Sequence, residues 1–536
     1  MENRPTRRIL ARMLGSLPLI NHYVRRLGIM EAIDTHCPSR GNAHLTHAQA
    51  AVAIIANRLS CPGALYRLIH WAREYALDEI WDIDPERLND DRLARCLDAL
   101  AEHGETIQGE VALAAVREFN LNVSQLHGDV TSVVLEGQYA EDEAPGPRPA
   151  FGYGGQQGCK QFRVVEITSL DGLVPLWHRT HDGNKPDVGM VVAEMEALRK
   201  HVAMDETLVV GDSKLLTQEL LPRLRARGWG FLAPLPHNPA LDQQYLELPA
   251  DGWEPLEYVP RSQEKWPAEE RSQYRGQSVL ETWTHPETGE TETFRKVFIH
   301  SSALAAQQYR LRHRRIVKAC AELNELIAKL PRGARKMSPA RVEARALVVL
   351  DRHHVRSFFA LAVTPAEEYP ELEWRLDEEA LARAQRLDGY YVLLTTLLEA
   401  SKTAVLSRWK PQILTERRFS DWKGPLRVRP VFLNTPQRIA ALILLLHLAL
   451  LIYSLLEREA RRRLEACGKT KYPRLLAGHV DAVPTGENIL RLFQNLLLVI
   501  EEGQHGRSCW VNFHTREQEG LWKFLGIQTP SGWQPV

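Results

Sequence analysis

Leu126-His127-Gly128-Asp129-Val130-Thr131-Ser132-Val133-Val134-Leu135 reads as a strand whose apolar run is broken by one carboxylate. β-Branched residues favour a pleated, half-buried surface, and a charge in such a run is costly unless it meets a polar partner. Asp129, flanked by Gly128 and by Thr131-Ser132, is therefore expected to open into a polar pocket. A second short strand, Thr207-Leu208-Val209-Val210-Gly211-Asp212, closes on another carboxylate, and Ser213 to Arg227 have helical composition. The C-terminal tip of a parallel strand is where open α/β sheets place their ligands. A third acid, Glu416, sits in a basic stretch. It runs from Arg408-Trp409-Lys410 through Arg417-Arg418-Phe419 to Lys423, and on to Arg427 and Arg429.

Outward from the first strand, the spacing predicts strands over 123–135, 161–169 and 173–178, the last two joined by the turn Ser169-Leu170-Asp171-Gly172. A helix over 188–201, the strand ending at Asp212, a further helix and a strand over 229–235 follow. Three strands, helix, strand, helix, strand predicts an α/β chain with a mixed sheet covered by helices, the layout of the ribonuclease H fold. Before it, residues 1–120 predict an all-α module with helices over 18–27, 46–59, 64–75, 89–103 and 110–119, with Thr46 and Asn89 as N-caps. The sheet domain is expected over 121–235 and, after a β-rich insertion at 236–396, again over 397–465, the part that carries Glu416. Residues 466–536 read as a smaller mixed tail.

Composition sets the limits of function. The chain has 536 residues, 44% hydrophobic and 25% charged, so it can bury several cores. With 67 basic and 67 acidic residues, a polyanion site has to come from local segregation of charge, which the 399–430 segment shows. Seven scattered cysteines without a CxxC pair argue against a disulfide framework or zinc knuckle and for a reducing cytoplasm. His178, His181, His353 and His354 lack the companions of a zinc site. The polar, Arg-rich first residues argue against secretion. Ile439 to Leu456 carries no formal charge and meets the length of a membrane span, but it holds His447, stands alone and follows the basic segment. It is expected to be a buried core helix, and no membrane partner is expected.

Three carboxylates brought together can hold two divalent cations that activate a water or 3′-OH and stabilise the leaving oxygen of a phosphodiester. Mg²⁺ prefers oxygen ligands and keeps several waters, so two Asp and one Glu suffice. Neighbouring strand tips would set Asp129 beside Asp212, and a helix crossing that end of the sheet would bring in Glu416.

Five motifs, in order, carry a family resemblance. They are Leu88-Asn89-Asp90-Asp91-Arg92-Leu93; Asp129-Val130-Thr131-Ser132 with Glu136-Gly137-Gln138-Tyr139; Asp182-Gly183-Asn184-Lys185-Pro186-Asp187; Val209-Val210-Gly211-Asp212; and Glu416 with Phe419, Lys423 and Leu426-Arg427-Val428-Arg429-Pro430-Val431. From about residue 15 to 465 the chain resembles the bacterial insertion-sequence DDE transposases, with a ribonuclease H-like catalytic domain and a β-rich insertion before the final acid. In one departure, Arg408-Trp409 stands eight residues before Glu416, and Gln412 occupies the place where the family carries Arg.

The resemblance implies that Asp129, Asp212 and Glu416 hold two Mg²⁺, for which Mn²⁺ can substitute, and that hydrolysis at the element's ends frees a 3′-OH for attack on target DNA. Arg408, Arg417, Arg418, Lys423, Arg427 and Arg429 are then expected to meet DNA phosphates. Double-stranded DNA, both terminal repeats and target, is the implied partner of a dimer acting in the bacterial cytoplasm at the nucleoid. A catalytically decayed DNA-binding descendant and a nuclease that cuts without joining are the alternatives on the same residues. The helical front module is expected to bind DNA ends or to dimerise.

Overall fold

In the computed structural model, the described residues are 8–135, 139, 146–152, 158–216, 224, 226–284, 289, 291–330, 337–367, 369–426, 433–476, 478–503, 506–528 and 533. Side chains at 413, 414, 416, 503 and 506 lie outside that description. The chain forms two compact units, one of residues 1–230 with 410–536 and the other of residues 231–409.

The first unit holds the helices α1 (Leu17–Arg26), α2 (Ile29–His36), α3 (His47–Ser60), α4 (Leu68–Glu74), α5 (Leu77–Trp81) and α6 (Asp90–Glu118). Thr46 caps α3 in a capping box with Gln49, and Asn89 caps α6 by accepting from the Arg92 N–H, as the sequence predicts. Where the sequence predicts two helices over 89–103 and 110–119, α6 runs unbroken for 29 residues. Its interior glycines serve packing: a Cβ on Gly109 would lie 2.3 Å from the His201 ring, and one on Gly104 would lie 3.0 Å from Leu444. This helical segment shares its compact unit with the sheet.

The sheet of this unit is β4-β3-β2-β5, built from β2 (Gln125–Val134), β3 (Gln161–Ser169), β4 (Pro175–His181) and β5 (Leu208–Val210). β2, β3 and β4 pair antiparallel, whereas β5 runs parallel to β2. The parallel step requires a crossover, supplied by α7 (Met190–Arg199). α7 lies so close that a Cβ on Gly128 would sit 2.2 Å from Val191 Cγ1, which is the reason for glycine beside Asp129. This is the ribonuclease H-like order expected from the sequence, of which the helix expected over 213–227 lies largely outside the described residues.

The Pro436–Ala466 helix covers this sheet and packs on α6, α3 and β4. Its apolar window is 94% buried inside the protein, consistent with a core helix. The C-terminal segment contributes more than a tail. Its strands Leu497–Gly503 and Gly506–Asn512 form a sheet with β1 (Arg8–Met13), which pairs antiparallel with the former.

The second unit is an antiparallel sheet of β6 (Gly230–Pro234), β7 (Glu254–Leu256), β8 (Tyr274–Thr284), β9 (Thr291–Ser301) and β12 (Tyr390–Thr395), in the order β6-β12-β9-β8-β7. A separate hairpin joins β10 (Phe359–Thr364) to β11 (Glu371–Leu376). The insertion also carries the long helices Ser302–Lys329 and Pro339–Arg352. The helix expected over 399–419 is two helices, Lys402–Trp409 and Gln412–Lys423, interrupted at Lys410-Pro411 where proline cannot donate an interior hydrogen bond.

Candidate active site

The β2/β5 register pairs Gln125 with Leu208, Leu126 with Val209 and His127 with Val210. Two residues beyond the last of these pairs stand Asp129, still within β2, and Asp212, which follows the end of β5. Both acids line one narrow crevice with Asp187 and Lys214. Asp129 Oδ1 accepts from the Val130 N–H at 2.7 Å. Asp212 ends its strand by capping the short turn Ser213–Leu215, and its Oδ1 accepts from the Lys214 N–H at 3.0 Å. Partial burial pushes the Asp212 carboxyl above the usual carboxylate range, and nearby Asp187 adds to this, while the Lys214 N–H and ammonium act against it. A group in this state gains from a bound cation.

The Gln412–Lys423 helix is fastened to β2 on both sides of Asp129. At its start, buried Gln412 accepts from His127 at 2.9 Å and donates through Nε2 to the Gly128 carbonyl at 3.1 Å. At its end, Lys423 Nζ donates to Thr131 Oγ1 at 2.7 Å. Glu416 lies between these anchors, one turn after Gln412, with its side chain outside the described residues. The residue standing where the family carries Arg thus holds the helix to the sheet.

Gln412 Oε1 can only accept, so His127 must present Nδ1–H to it, leaving Nε2 to accept from Gln125 Nε2 at 3.0 Å. Burial favours this neutral ring and lowers its pKa from 6.5 to about 4, while the Gln412 bond acts in the other direction. Because the folded value lies below the unfolded one, this stabilisation is complete above 6.5 and is lost as pH falls towards 4, up to roughly 3 kcal/mol. Urea midpoints measured from neutral to mildly acidic pH are expected to fall more steeply for the wild type than for His127→Asn. Equal slopes would show that His127 is not held neutral.

Behind Asp129, across the β2/β3 pair, stands Glu166. Its Oε1 meets His447 Nδ1 at 2.8 Å, with both side chains 1% exposed. Burial raises the Glu166 pKa, and His447 opposes that rise. The His447 ring stacks on His178 at 4.6 Å between centroids, and Gln108 of α6 donates through Nε2 to the His178 carbonyl while its Oε1 accepts from the His178 N–H and ring Nδ1–H.

The expected phosphate contacts divide by burial. Arg417 and Lys423 are exposed on the Gln412–Lys423 helix. Arg408 is exposed at the end of the Lys402–Trp409 helix in the other unit, and Arg427 and Arg429 lie outside the described residues. Arg418 requires a correction. Its side chain is 4% exposed and donates to the carbonyls of Gly172 and Leu173 and to Asp421 and Glu457, so it ties the helix to the β3–β4 turn and cannot face DNA. Trp422 is fully buried core, and Trp409 packs on Tyr391. Asp187, Arg163 and Lys214 were not singled out from sequence as site residues. Asp187 accepts from both cations, and although burial alone would raise its pKa, those bonds hold it below the usual range. The turn motif ending in Asp187 was the available signal. Among the described residues no cluster of three or more His, Cys, Asp or Glu forms a metal site, the Glu416 side chain being outside them.

The fold is that of a ribonuclease H-like α/β protein with one acid on β2 and a second just past the end of its parallel neighbour β5. The chain belongs to the family described as Transposase DDE domain, whose profile matches residues 129–452, more than half its length. It is an enzyme of DNA transposition, from a family that uses divalent metal ions. Residues 9–110 match a separate domain of unknown function, DUF4277. No curated protein matches the chain. Among solved structures, a piggyBac transposase synaptic complex with hairpin DNA is 8% identical over 89% of this chain and 79% of that one, with a TM-score of 0.39. A Mos1 transposase paired-end complex with the left transposon end is 10% identical over 38% of this chain and 63% of that one, with a TM-score of 0.15. At these scores neither structure bears on the placement of individual residues.

Proposed function

We propose that the chain is the transposase of an insertion sequence, cutting DNA at the element's ends and joining the freed 3′-OH to target DNA. The observation that carries this reading is the double fastening of the Gln412–Lys423 helix across β2, at His127-Gly128 and at Thr131, which brackets Asp129 with the segment bearing Glu416. Asp129 and Asp212, which line one crevice, would with Glu416 supply the oxygen donors for two Mg²⁺, and Mn²⁺ has the same preference for oxygen. Bound there, the ions would polarise the scissile phosphate and lower the pKa of the attacking water or hydroxyl.

The protein's own groups do the rest. Neutral His127 and Gln412 fix the Gln412–Lys423 helix without adding charge to the pocket. Lys423 and Arg417 present cations towards the strand being cut, a salt-sensitive contribution to affinity. Arg408, Arg427 and Arg429 belong to the same reading, as do a dimer pairing two ends and a cytoplasmic, nucleoid-bound location.

A labelled duplex carrying the element's end, incubated with Mg²⁺ and a target plasmid, tests the proposal. Cleavage followed by joining is the expected result. Cleavage without joining would identify a nuclease, and binding without cleavage would identify a DNA-binding descendant.

A further inference from the structure

Beside the acid crevice, and sharing Val130, Asp187 and Lys214 with it, lies a cleft of about 520 Å³ that the acid chemistry leaves unexplained. Its volume falls within the range of small-ligand sites, roughly 300–1,000 Å³. Four cationic side chains line it, Arg163, Lys185, Lys214 and Lys423, against the single carboxylate of Asp187. Phe151, 62% exposed, stands at its edge. A large aromatic left in solvent beside a cationic cleft has the composition of a nucleic-acid strand site, in which cations follow the backbone and rings stack on bases.

The wall of the cleft is built before any ligand arrives. Ala150 and Gln161 exchange backbone hydrogen bonds of 3.2 and 2.9 Å. Gln161 Nε2 donates to the Gly183 carbonyl at 3.0 Å, and the Gly183 N–H donates to the Arg148 carbonyl at 2.9 Å. The fit leaves no room for a side chain, since a Cβ on Gly183 would lie 1.9 Å from the Gln161 carbonyl oxygen. Gln161 is 1% exposed, yet its Oε1 has no hydrogen-bond partner among the described residues. Arg163 in turn is held by Ser132 at 2.6 Å and by Asp187, and Lys214 by Asp187, so the cations are positioned without being removed from the cleft.

We propose that this cleft is a nucleotide subsite. It takes a nucleotide of the DNA strand next to the phosphate being cut, with the backbone at Lys185, Lys214 and Lys423 and the base against Phe151. The Asp182–Asp187 turn thereby acquires a function as the rigid wall of a strand-binding cleft. The inference rests on the proposed strand-cutting function, but binding in the absence of metal tests it separately.

The test uses the full chain, a chelator, and fluorescence anisotropy with a short labelled single-stranded oligonucleotide. Phe151 and Lys185 are exposed, and Lys185→Gln keeps a donor for the buried His181 ring, which Lys185 Nζ meets at 2.9 Å. Phe151→Ala is expected to weaken strand binding about tenfold, and Phe151→Tyr to retain it. Lys185→Gln is expected to reduce the slope of log affinity against log salt by about 0.7. Wild-type affinity and slope in both Phe151→Ala and Lys185→Gln, with unchanged melting curves, would overturn the subsite, as would a wild type that binds no single strand. If these substitutions weaken strand binding but the wild type fails to cut with Mg²⁺, the subsite stands and the transposase reading fails.

Discussion

Asp129→Asn and Asp212→Asn are each expected to lower strand cleavage about a thousandfold or more, some 4 kcal/mol of transition-state stabilisation, while the protein stays folded. The size follows from what the carboxylates would do. Asn keeps the shape but removes the charge that holds a divalent cation, so alignment and charge neutralisation at the phosphate are lost together. Folding should be unaffected for a local reason. Asp212 is half exposed and its carboxyl is pushed up by burial with Asp187 nearby, so a neutral amide relieves an unfavourable interaction. Melting temperatures equal to or slightly above wild type, together with absent cleavage, are the expected pair of results. Substantial cleavage by Asp212→Asn would show that the crevice it shares with Asp129 does not define the metal site.

His447→Ala is expected to cost about 3–5 kcal/mol of stability, because it strands the Glu166 carboxyl in the core. The pair is enclosed between β3 and the Pro436–Ala466 helix, and Glu166 Oε2 already has no partner among the described residues. Burial raises the Glu166 pKa above that of the unfolded chain, so stability linked to its proton is fully present below 4.5 and is lost as pH rises through the folded value. Without His447 that rise is larger, and the deficit of the variant should widen from mildly acidic to alkaline pH. Urea unfolding at several pH values measures this, and a deficit that is constant with pH would mean that Glu166 is protonated with or without its partner.

The strand carrying Asp129 and the one leading up to Asp212 were legible because an apolar, β-branched run and an abrupt carboxylate are local signals. The buried Pro436–Ala466 helix was legible for a related reason, since a charge-free run that also holds a histidine suits a protein interior with a buried partner, here Glu166. What escaped the sequence depends on distant partners. α6 reads as two helices because Gly104 and Gly109 look like breaks, until Leu444 and His201 are seen to occupy the space. Arg418 reads as a phosphate contact from its basic neighbours, but the carbonyls that bind it belong to Gly172 and Leu173, some 245 residues away. The pairing of β1 with Leu497–Gly503 joins the two ends of the chain and has no local signature. At the site, Gln412 looked like the loss of an expected arginine. Its contact with His127 and Gly128 shows that a neutral residue at that position fastens the Gln412–Lys423 helix to β2.

The central claim is that this helix delivers Glu416 to the pair of aspartates. The most direct measurement compares wild type with Glu416→Gln for nicking and strand transfer, in Mg²⁺, on a labelled duplex carrying the element's end. The arrangement of Gln412, Lys423 and Asp129 predicts that the wild type cuts and joins, and that the variant does neither while binding the duplex with similar affinity. Cleavage that persists undiminished in Glu416→Gln would contradict the account and assign the third acid to another residue.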